Sequence, residues 1–418
     1  MTRERSDVEL AAALETWMVV VAPEAVPARV LEEAFGQTVA TRQARMYPWD
    51  WLTRRGRRRL DLVPLGLVGL AAVLIVSAGV GLIGGGASVG PRPSATPAAM
   101  ASASRSGSVP PSAVAVVPIS SEASVTVDQA IAMASDGLVV WVLTATGSLV
   151  RIDPATNSAA ARIQLAATTD LYQGISVDGD VVWVTDWTRR TLYRVSATTG
   201  TVVAKIPVGM APKGVLATGS AVWVADTHAG AVLRVDPATN TVVSTIPVGP
   251  AGDSGPNWLA SGLGSIWVGI PNTSTVVRID PITDAVQATV TIPAQATPCG
   301  GFAVTATAVW IPSCDEGRTM ARIDPSTDAV VATVDLGGNA RTPVVIDGAP
   351  WLSVDTGLGV PAFVARVASA SNAFDLELSP GATFGGGGDM VVAGGSVWVI
   401  DVGSGHVLRL PLTAFPAR

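Results

Sequence analysis

A tryptophan recurs at a near-constant interval through the C-terminal part of the chain, and this repeat restricts the fold more than any other feature. The spacing between successive residues is 40 to 47, and the positions are Trp141, Trp183, Trp223, Trp267, Trp310, Trp351 and Trp398. A second marker, an Arg followed by an aliphatic residue, repeats with the same period at Arg151, Arg194, Arg234, Arg278, Arg322, Arg366 and Arg409. Two independent markers with this period predict seven propeller blades.

One repeat contains enough β-rich sequence for a four-stranded blade. GVLATGSAVWVADTHAGAVLRVDPATNTVVSTIPVG includes the runs GVLAT, AVWVA, VLRVD and TVVSTIPV, which we call strands A to D. Asp-Pro opens the C-D turn and Asn or Gly closes it, so the repeated Asp residues are predicted to be structural. The repeated Trp lies in runs that are apolar on both faces, which predicts packing between blades instead of a ligand cage.

The two ends of the repeat region complement each other. The last repeat stops after three strands, and Ser112 to Ile119 (SAVAVVPI) resembles the missing fourth strand. We therefore predict an all-β, seven-bladed β-propeller over residues 112–418, closed by an N-terminal strand. In the fifth repeat, a turn at Ala306 and Thr307 would place Cys299 opposite Cys314. A disulfide is predicted for this pair, since the propeller is expected outside the cytoplasm.

The N-terminal part predicts a membrane anchor. Residues 62–83 are uncharged and apolar and are long enough to cross a bilayer as one transmembrane helix. Five Arg residues precede this segment, which places the N-terminus in the cytoplasm and the propeller outside it. Residues 1–61 then form a cytoplasmic, partly helical segment, and residues 84–111, rich in Gly, Ser, Pro and Ala, form a linker. The predicted location is a single-pass protein of the cell membrane.

Composition excludes several kinds of function. The net charge is −6, so nucleic acid is not an expected partner. Two Cys and two His leave little material for metal clusters or thiol chemistry. The sequence also lacks a Ser nucleophile elbow, a phosphate-binding Gly loop and an HExxH motif. No catalytic residue is therefore assigned.

The candidate binding residues lie in the irregular B-C and D-A connections, since the A-B and C-D connections are uniform turns. These loops mix aromatic and charged side chains, which suits a protein or a small polar ligand. The candidates are Tyr172, Asp186, Trp187, Arg189, Arg190, Lys213, Asp226, His228, Asn257, Trp258, Asp315, Glu316 and Arg341.

An Asp stands three residues after the blade Trp in three repeats, at Asp186, Asp226 and Asp401. Two interpretations follow. The carboxylates could cap the B-C turns, which we favour, or converge on a cation, for which oxygen ligands favour Mg²⁺ or Ca²⁺. No cofactor is predicted under the first interpretation.

The repeat VLRVDPATNTVVSTIPVG, with VWVAD before it, resembles the YncE and YVTN type of β-propeller repeat. The runs GSIWVG and AVWVADTHAGAVLRVD also resemble the streptogramin B (virginiamycin B) lyase and NHL propeller group. The lyase resemblance implies Mg²⁺ held by His and Glu side chains at the propeller mouth. This region has only His228 and His406, and Glu316 is its one loop Glu, so a full lyase site is not expected.

The sequence therefore favours a membrane-anchored extracytoplasmic β-propeller that binds an unknown protein or small ligand and is not an enzyme. One alternative is a metal-dependent enzyme of the lyase type that uses His228, Glu316 and nearby Asp residues. The other is a transmembrane sensor that signals through residues 1–61.

Overall fold

The computed structural model describes residues 114–165, 172–293, 297–313, 318–357, 360–381 and 384–416, and for Tyr172 and Gln173 the backbone alone. The predicted cytoplasmic segment, anchor and linker, at 1–61, 62–83 and 84–111, lie outside these residues. Within them, no helix has the length and apolar character needed to cross a bilayer.

The described residues form β-strands almost throughout. Two short strands come first, β1 (Ala115–Pro118) and β2 (Ala123–Thr126). Blade 1 contains β3 (Ala130–Ser135), β4 (Val140–Thr144), β5 (Ser148–Asp153) and β6 (Ser158–Gln164). Blade 2 contains β7 (Tyr172–Asp178), β8 (Val181–Asp186), β9 (Thr191–Ser196) and β10 (Thr201–Pro207). Blade 3 contains β11 (Pro212–Ala217), β12 (Val222–Asp226), β13 (Ala231–Asp236) and β14 (Thr241–Pro247).

The remaining blades follow in chain order. Blade 4 contains β15 (Trp258–Gly262), β16 (Ser265–Ile270), β17 (Thr275–Ile279) and β18 (Val286–Thr291), with a 3-10 turn at Pro271–Thr273. Blade 5 contains β19 (Ala303–Val304), β20 (Val309–Pro312), β21 (Thr319–Asp324) and β22 (Ala329–Asp335). Blade 6 contains β23 (Asn339–Ala340), β24 (Val344–Ile346), β25 (Ala349–Asp355), β26 (Phe363–Ala368) and β27 (Ala373–Ser379). Blade 7 contains β28 (Gly387–Ala393), β29 (Ser396–Asp401) and β30 (His406–Pro411), before a 3-10 turn at Leu412–Ala414.

The first strand of each blade contacts the first strand of the next, and the contact of β28 with β3 closes the ring. The predicted seven-bladed propeller is therefore confirmed. Every blade Trp pairs with the residue seven positions before it on the adjacent first strand, as in Leu216 with Trp223 and Val391 with Trp398. The repeat in the sequence is thus a repeat in strand register.

The strand that closes the ring differs from the prediction. β2 pairs antiparallel with β30 and supplies the fourth strand of blade 7. β1, which lies inside the predicted closing segment, instead pairs parallel with β27 as an extra outer strand of blade 6. The closing role falls to β2 because Val125 is buried in the core beside Trp398, whereas β1 is exposed along its length.

The seven repeated Trp side chains are buried, with at most 2% of their surface exposed. Each packs between its own blade and the next; for example, Trp141 of blade 1 contacts the cluster that contains Val182 and Tyr193 of blade 2. The prediction that these residues form the core is confirmed. They form no ligand cage.

The repeated Arg has a structural role that the sequence did not assign. Its guanidinium lies over the blade Trp and reaches the C-D turn of the following blade. Arg278 lies 5.4 Å from the Trp267 ring centre and donates to Pro325 O at 2.8 Å and to Asp328 Oδ1 at 3.1 Å. Comparable contacts to the next turn are made by Arg194, Arg234, Arg322 and Arg409, and Arg366 donates instead to Pro416 O, which follows the last strand of the chain. These side chains join consecutive blades.

The Asp residues of the C-D turns are structural, as predicted. Asp236 Oδ1 accepts from Ala238 N at 2.8 Å, and Asn240 closes that turn with a φ of 57°. These backbone hydrogen bonds lower the pKa of the Asp236 carboxyl. Hydrogen bonds within the equivalent turns likewise lower the pKa values of Asp280 and Asp324.

The hairpin that contains Cys299 follows the predicted register only near its turn. Ala303 pairs with Trp310, as the prediction requires. Further out Pro298 pairs with Ser313, so the register has slipped by two residues there. Cys314 lies outside the described residues, and the Cys299–Cys314 disulfide stays a prediction.

Candidate functional site

The B-C and D-A connections meet at one end of the propeller, which we call the loop face. The A-B and C-D turns form the opposite end, the turn face. Hydrogen bonds join the two kinds of loop: Asp226, at the end of strand B in blade 3, accepts from Met210 N and Ala211 N of the preceding D-A loop at 2.8 and 2.9 Å. Thr227 Oγ1 donates to Pro256 O of the next D-A loop at 2.8 Å.

The repeated Asp residues on this face cap turns, the interpretation that the sequence favoured. Asp186 Oδ1 accepts from Arg189 N at 2.9 Å. Asp401 Oδ1 accepts from Gly385 N and Gly403 N at 3.2 and 3.1 Å. All three carboxylates are buried, with at most 2% of the residue exposed. Each carboxylate therefore accepts hydrogen bonds from backbone N–H groups of the adjacent loops.

Three of the predicted binding residues come together between blades 2 and 3. Trp187 follows the strand β8 and is half-buried. Lys213 Nζ lies 4.9 Å from its ring centre, and the His228 ring packs edge-on against it, also at 4.9 Å. His228 Nε2 in turn lies 3.0 Å from Oδ1 of Asp253. We call Trp187, Lys213, His228 and Asp253 the tryptophan cluster.

Two further predicted residues flank this cluster. The Arg189 side chain is 49% exposed, with its Nε 3.9 Å from Asp186 Oδ2. Arg190 is exposed, has a φ of 54° and donates its N–H to Trp187 O at 3.3 Å. This turn conformation presents both Arg side chains on the surface beside Trp187. One cationic side chain, Lys213, therefore lies over the Trp187 ring, and two more are exposed in the turn that follows Trp187.

The other predicted residues lie elsewhere or outside the described part. Trp258 begins the strand β15 and is half-buried against the core cluster that contains Phe302. Asn257 is half-buried, and its N–H donates to Gly269 O at 3.0 Å. Asp315 and Glu316 lie outside the described residues, and of Tyr172 only the backbone is described.

The first strands of several blades carry a bulge near the loop face. In blade 3 the register shifts between Pro212 and Val215, so the bulge contains Lys213. In blade 7 it shifts between Gly387 and Met390, so the bulge contains Asp389. Bulges redirect side chains and are frequent next to functional sites. Here one of them directs Lys213 towards the Trp187 ring of the preceding blade.

Arg341 belongs to a second polar group, around Asp389 and apart from the tryptophan cluster. Asp389 Oδ2 accepts from Met133 N of blade 1 at 3.3 Å. Burial raises the pKa of Asp389, while hydrogen bonds from Thr342 and the charge of Arg341 oppose that rise. This carboxylate therefore links blades 6, 7 and 1 at the point where the ring closes.

Sequence reasoning missed Asp253 and Asp389. Asp253 stands in the long loop between blades 3 and 4, and no repeat marks it. Asp389 occupies a position that is Gly174, Gly214 or Gly301 in other blades, nine residues before the blade Trp. An Asp at a position that is Gly in other blades was the sequence feature that could have identified Asp389.

The alternative interpretation, a cation held by these loops, stays a prediction, and the donors that the structure describes there are few. Among the described residues, no group of three or more His, Cys, Asp or Glu side chains could hold a metal ion. At the tryptophan cluster the described donors are one imidazole and one carboxylate. These two groups do not match the several oxygen ligands that Mg²⁺ or Ca²⁺ requires.

Comparison with known proteins bears on the fold. Residues 120–318 match a family model described as a domain of unknown function, DUF5074. No protein of curated function matches the sequence.

Among solved structures, a streptogramin B lyase has a TM-score of 0.57 at 14% identity, covering 68% of this chain and 94% of that one. Virginiamycin B lyase from Staphylococcus aureus has a TM-score of 0.57 at 14% identity, covering 69% of this chain and 98% of that one. A chain of a mitotic checkpoint complex has a TM-score of 0.58 at 11% identity, covering 76% of this chain and 98% of that one. The chain is therefore similar in fold to propellers that include streptogramin B lyases, and the YncE and YVTN resemblance stays a prediction.

Proposed function

We propose that the protein is a membrane-tethered, extracytoplasmic binding module whose ligand docks on the loop face at the tryptophan cluster. The tether is residues 62–83, and the ligand is a protein or a small polar molecule. The proposal rests on the burial and the contacts of the Trp187 ring. This ring is half-buried and contacts Lys213 and His228, whereas the seven blade Trp rings are buried in the core.

Physical chemistry supports this choice of anchor. Trp and Arg are the side chains most often responsible for binding energy in protein contacts. The contacts with Lys213 and His228 fix the Trp187 ring before a ligand arrives, so little side-chain entropy is lost on binding. The surrounding loops are held by buried caps such as Asp226, which gives the site a rigid base.

Site-specific photo-crosslinking tests the position of the site. Thr188 and Thr283 are exposed, on the loop face and the turn face respectively. With p-benzoylphenylalanine at each position in the full-length protein, we expect crosslinked species from position 188 in cells, and loss of those species when Trp187→Ala is added. Equal yields from the two positions, or yields insensitive to Trp187→Ala, would refute the proposal.

The same protein tests the alternative of a lyase-type enzyme. Full-length protein is incubated with streptogramin B, with Mg²⁺ or with chelator, and the compound is followed by chromatography. Intact streptogramin B under both conditions is the result that the binding module predicts. Mg²⁺-dependent conversion of the compound that is lost in His228→Ala would replace the binding module by the enzyme.

A further inference from the structure

The two faces of the propeller differ in charge. The turn face carries exposed carboxylates such as Asp136, Asp178, Asp180 and Asp347, and the repeated Arg side chains at its C-D turns are engaged in contacts between blades. On the loop face of blades 2 and 3, Lys213 lies over the Trp187 ring and the exposed Arg189 and Arg190 follow Trp187 in the chain, while Asp186 and Asp226 are buried as caps. An acidic partner is therefore repelled by the turn face and attracted to the tryptophan cluster.

Asp253 already places one carboxylate at this cationic surface. Its Oδ1 lies 3.0 Å from His228 Nε2, although 91% of the Asp253 side chain is exposed. The residue belongs to the loop between β14 and β15, next to Gly252, which has a φ of 149° and no atom within 4 Å of the position of a Cβ. The carboxylate thus reaches the cluster from an open, glycine-containing stretch of chain.

From this arrangement we infer that the tryptophan cluster recognises carboxylate side chains of an acidic polypeptide. Asp253 occupies the position of one such carboxylate in the free protein, and the partner displaces it on binding. The inference rests on the proposed function and names the chemistry of its ligand. Asp253 lies between Gly252 and Ser254 in a surface turn, where small neighbours leave its carboxylate as accessible as that of an acidic peptide. Displacement costs little, because a contact with a side chain this exposed contributes little to stability.

A labelled polyanion tests the inference. Binding of fluorescein-labelled poly-L-glutamate to the full-length protein in detergent micelles is measured by fluorescence anisotropy at low and high salt. We expect saturable binding that weakens with salt. Lys213→Gln is expected to weaken it about fivefold, since one of three cations is removed. Labelled polyphosphate, in a parallel titration, is expected to bind more weakly than poly-L-glutamate.

Asp253→Asn is the decisive variant, since a merely structural Asp253 and a competing Asp253 predict opposite effects. Removal of the competing charge is expected to tighten binding of poly-L-glutamate about threefold. The matched control is Asp347→Asn on the turn face, which is exposed and distant in the fold and should change affinity by less than about 1.5-fold.

Unchanged or weaker binding in Asp253→Asn, or stronger binding of polyphosphate than of poly-L-glutamate, overturns the inference. The crosslink at position 188 separates this failure from failure of the proposed function. A Trp187-dependent crosslink without poly-L-glutamate binding leaves the binding module standing and removes only the acidic ligand. Loss of both removes the site itself.

Discussion

Replacing Arg278 by Ala should destabilise the propeller by several kcal/mol without altering the loop face. The guanidinium donates to Ser265 Oγ at 2.8 Å, to Pro325 O at 2.8 Å and to Asp328 Oδ1 at 3.1 Å, and it lies 5.4 Å from the centre of the Trp267 ring. The Arg278 side chain is 21% exposed and that of Asp328 is 32% exposed, so water screens the contacts only in part. The variant therefore removes a bridge between blades 4 and 5.

The magnitude follows from these contacts. Three hydrogen bonds at about 1 kcal/mol each and a cation–π contact of about 0.5 kcal/mol give a loss of about 3.5 kcal/mol. Unfolding entropy of about 2.1 cal/mol/K per residue over about 300 residues converts this loss to a fall in Tm of about 6 °C. Arg278→Lys should lose roughly half as much, because an ammonium cannot reproduce the planar, forked donor geometry.

Thermal unfolding of the full-length protein, followed by circular dichroism, measures the effect. Arg162→Ala is the control, because Arg162 is exposed on the outer strand β6, and its effect should stay within about 0.5 kcal/mol. A loss below about 1 kcal/mol for Arg278→Ala, or one equal to that of the control, would show that the repeated Arg does not join the blades.

Four other predictions concern the ring and its charges. Val125→Asp in β2 should cost more than about 3 kcal/mol, whereas Val116→Asp in the exposed β1 should be near neutral; equal effects in thermal unfolding would contradict the assignment of β2 as the closing strand. Because burial raises the pKa of Asp389, its protonated form stabilises the fold at low pH and that contribution disappears as pH rises through the raised pKa. Asp389→Asn should therefore raise Tm at pH 7 and lose its advantage towards pH 4; a variant with a lower Tm at pH 7 would contradict this. Hydrogen bonds lower the pKa values of four turn carboxylates, Asp180, Asp236, Asp280 and Asp324. Their stabilisation of the fold is complete above about pH 4 and should fall on further acidification. A Tm that stays flat below pH 4 would contradict this prediction. Mass spectrometry of the unreduced, alkylated protein should find Cys299 and Cys314 in one linked pair of peptides, and alkylation of both thiols would refute the disulfide.

The blade count and the role of the repeated Trp could be predicted, because strand register repeats with the sequence. Each Trp pairs with the residue seven positions earlier on the neighbouring strand, so equal spacing in the sequence gives the same strand pairing in every blade. The Asp caps at Asp186 and Asp226 were predictable for the same reason. Local hydrogen bonding is readable from local sequence.

Other features depend on contacts that local sequence does not record. The segments of β1 and β2 both have short runs of strand-forming residues, and only the burial of Val125 against blade 7 distinguishes them. Trp258 looks like a loop residue by position, yet it begins β15 and packs on blade 5. His228 in the B-C loop of blade 3 contacts Asp253 in the loop between blades 3 and 4, and no repeated spacing in the sequence predicts this contact.

The attachment of β1 and β2 to different blades gives the propeller an order of mechanical failure. A pull on the chain at Val114 acts first on β1, whose parallel pairing with β27 spans only Ala115–Pro118. Detachment of β1 leaves β2 in blade 7 and the ring closed, and it frees a stretch of chain that can extend by about 30 Å. The Arg409–Glu122 ion pair, at 2.9 Å, marks where the load then reaches the ring. Under tension, β1 is therefore expected to detach before the blades unfold.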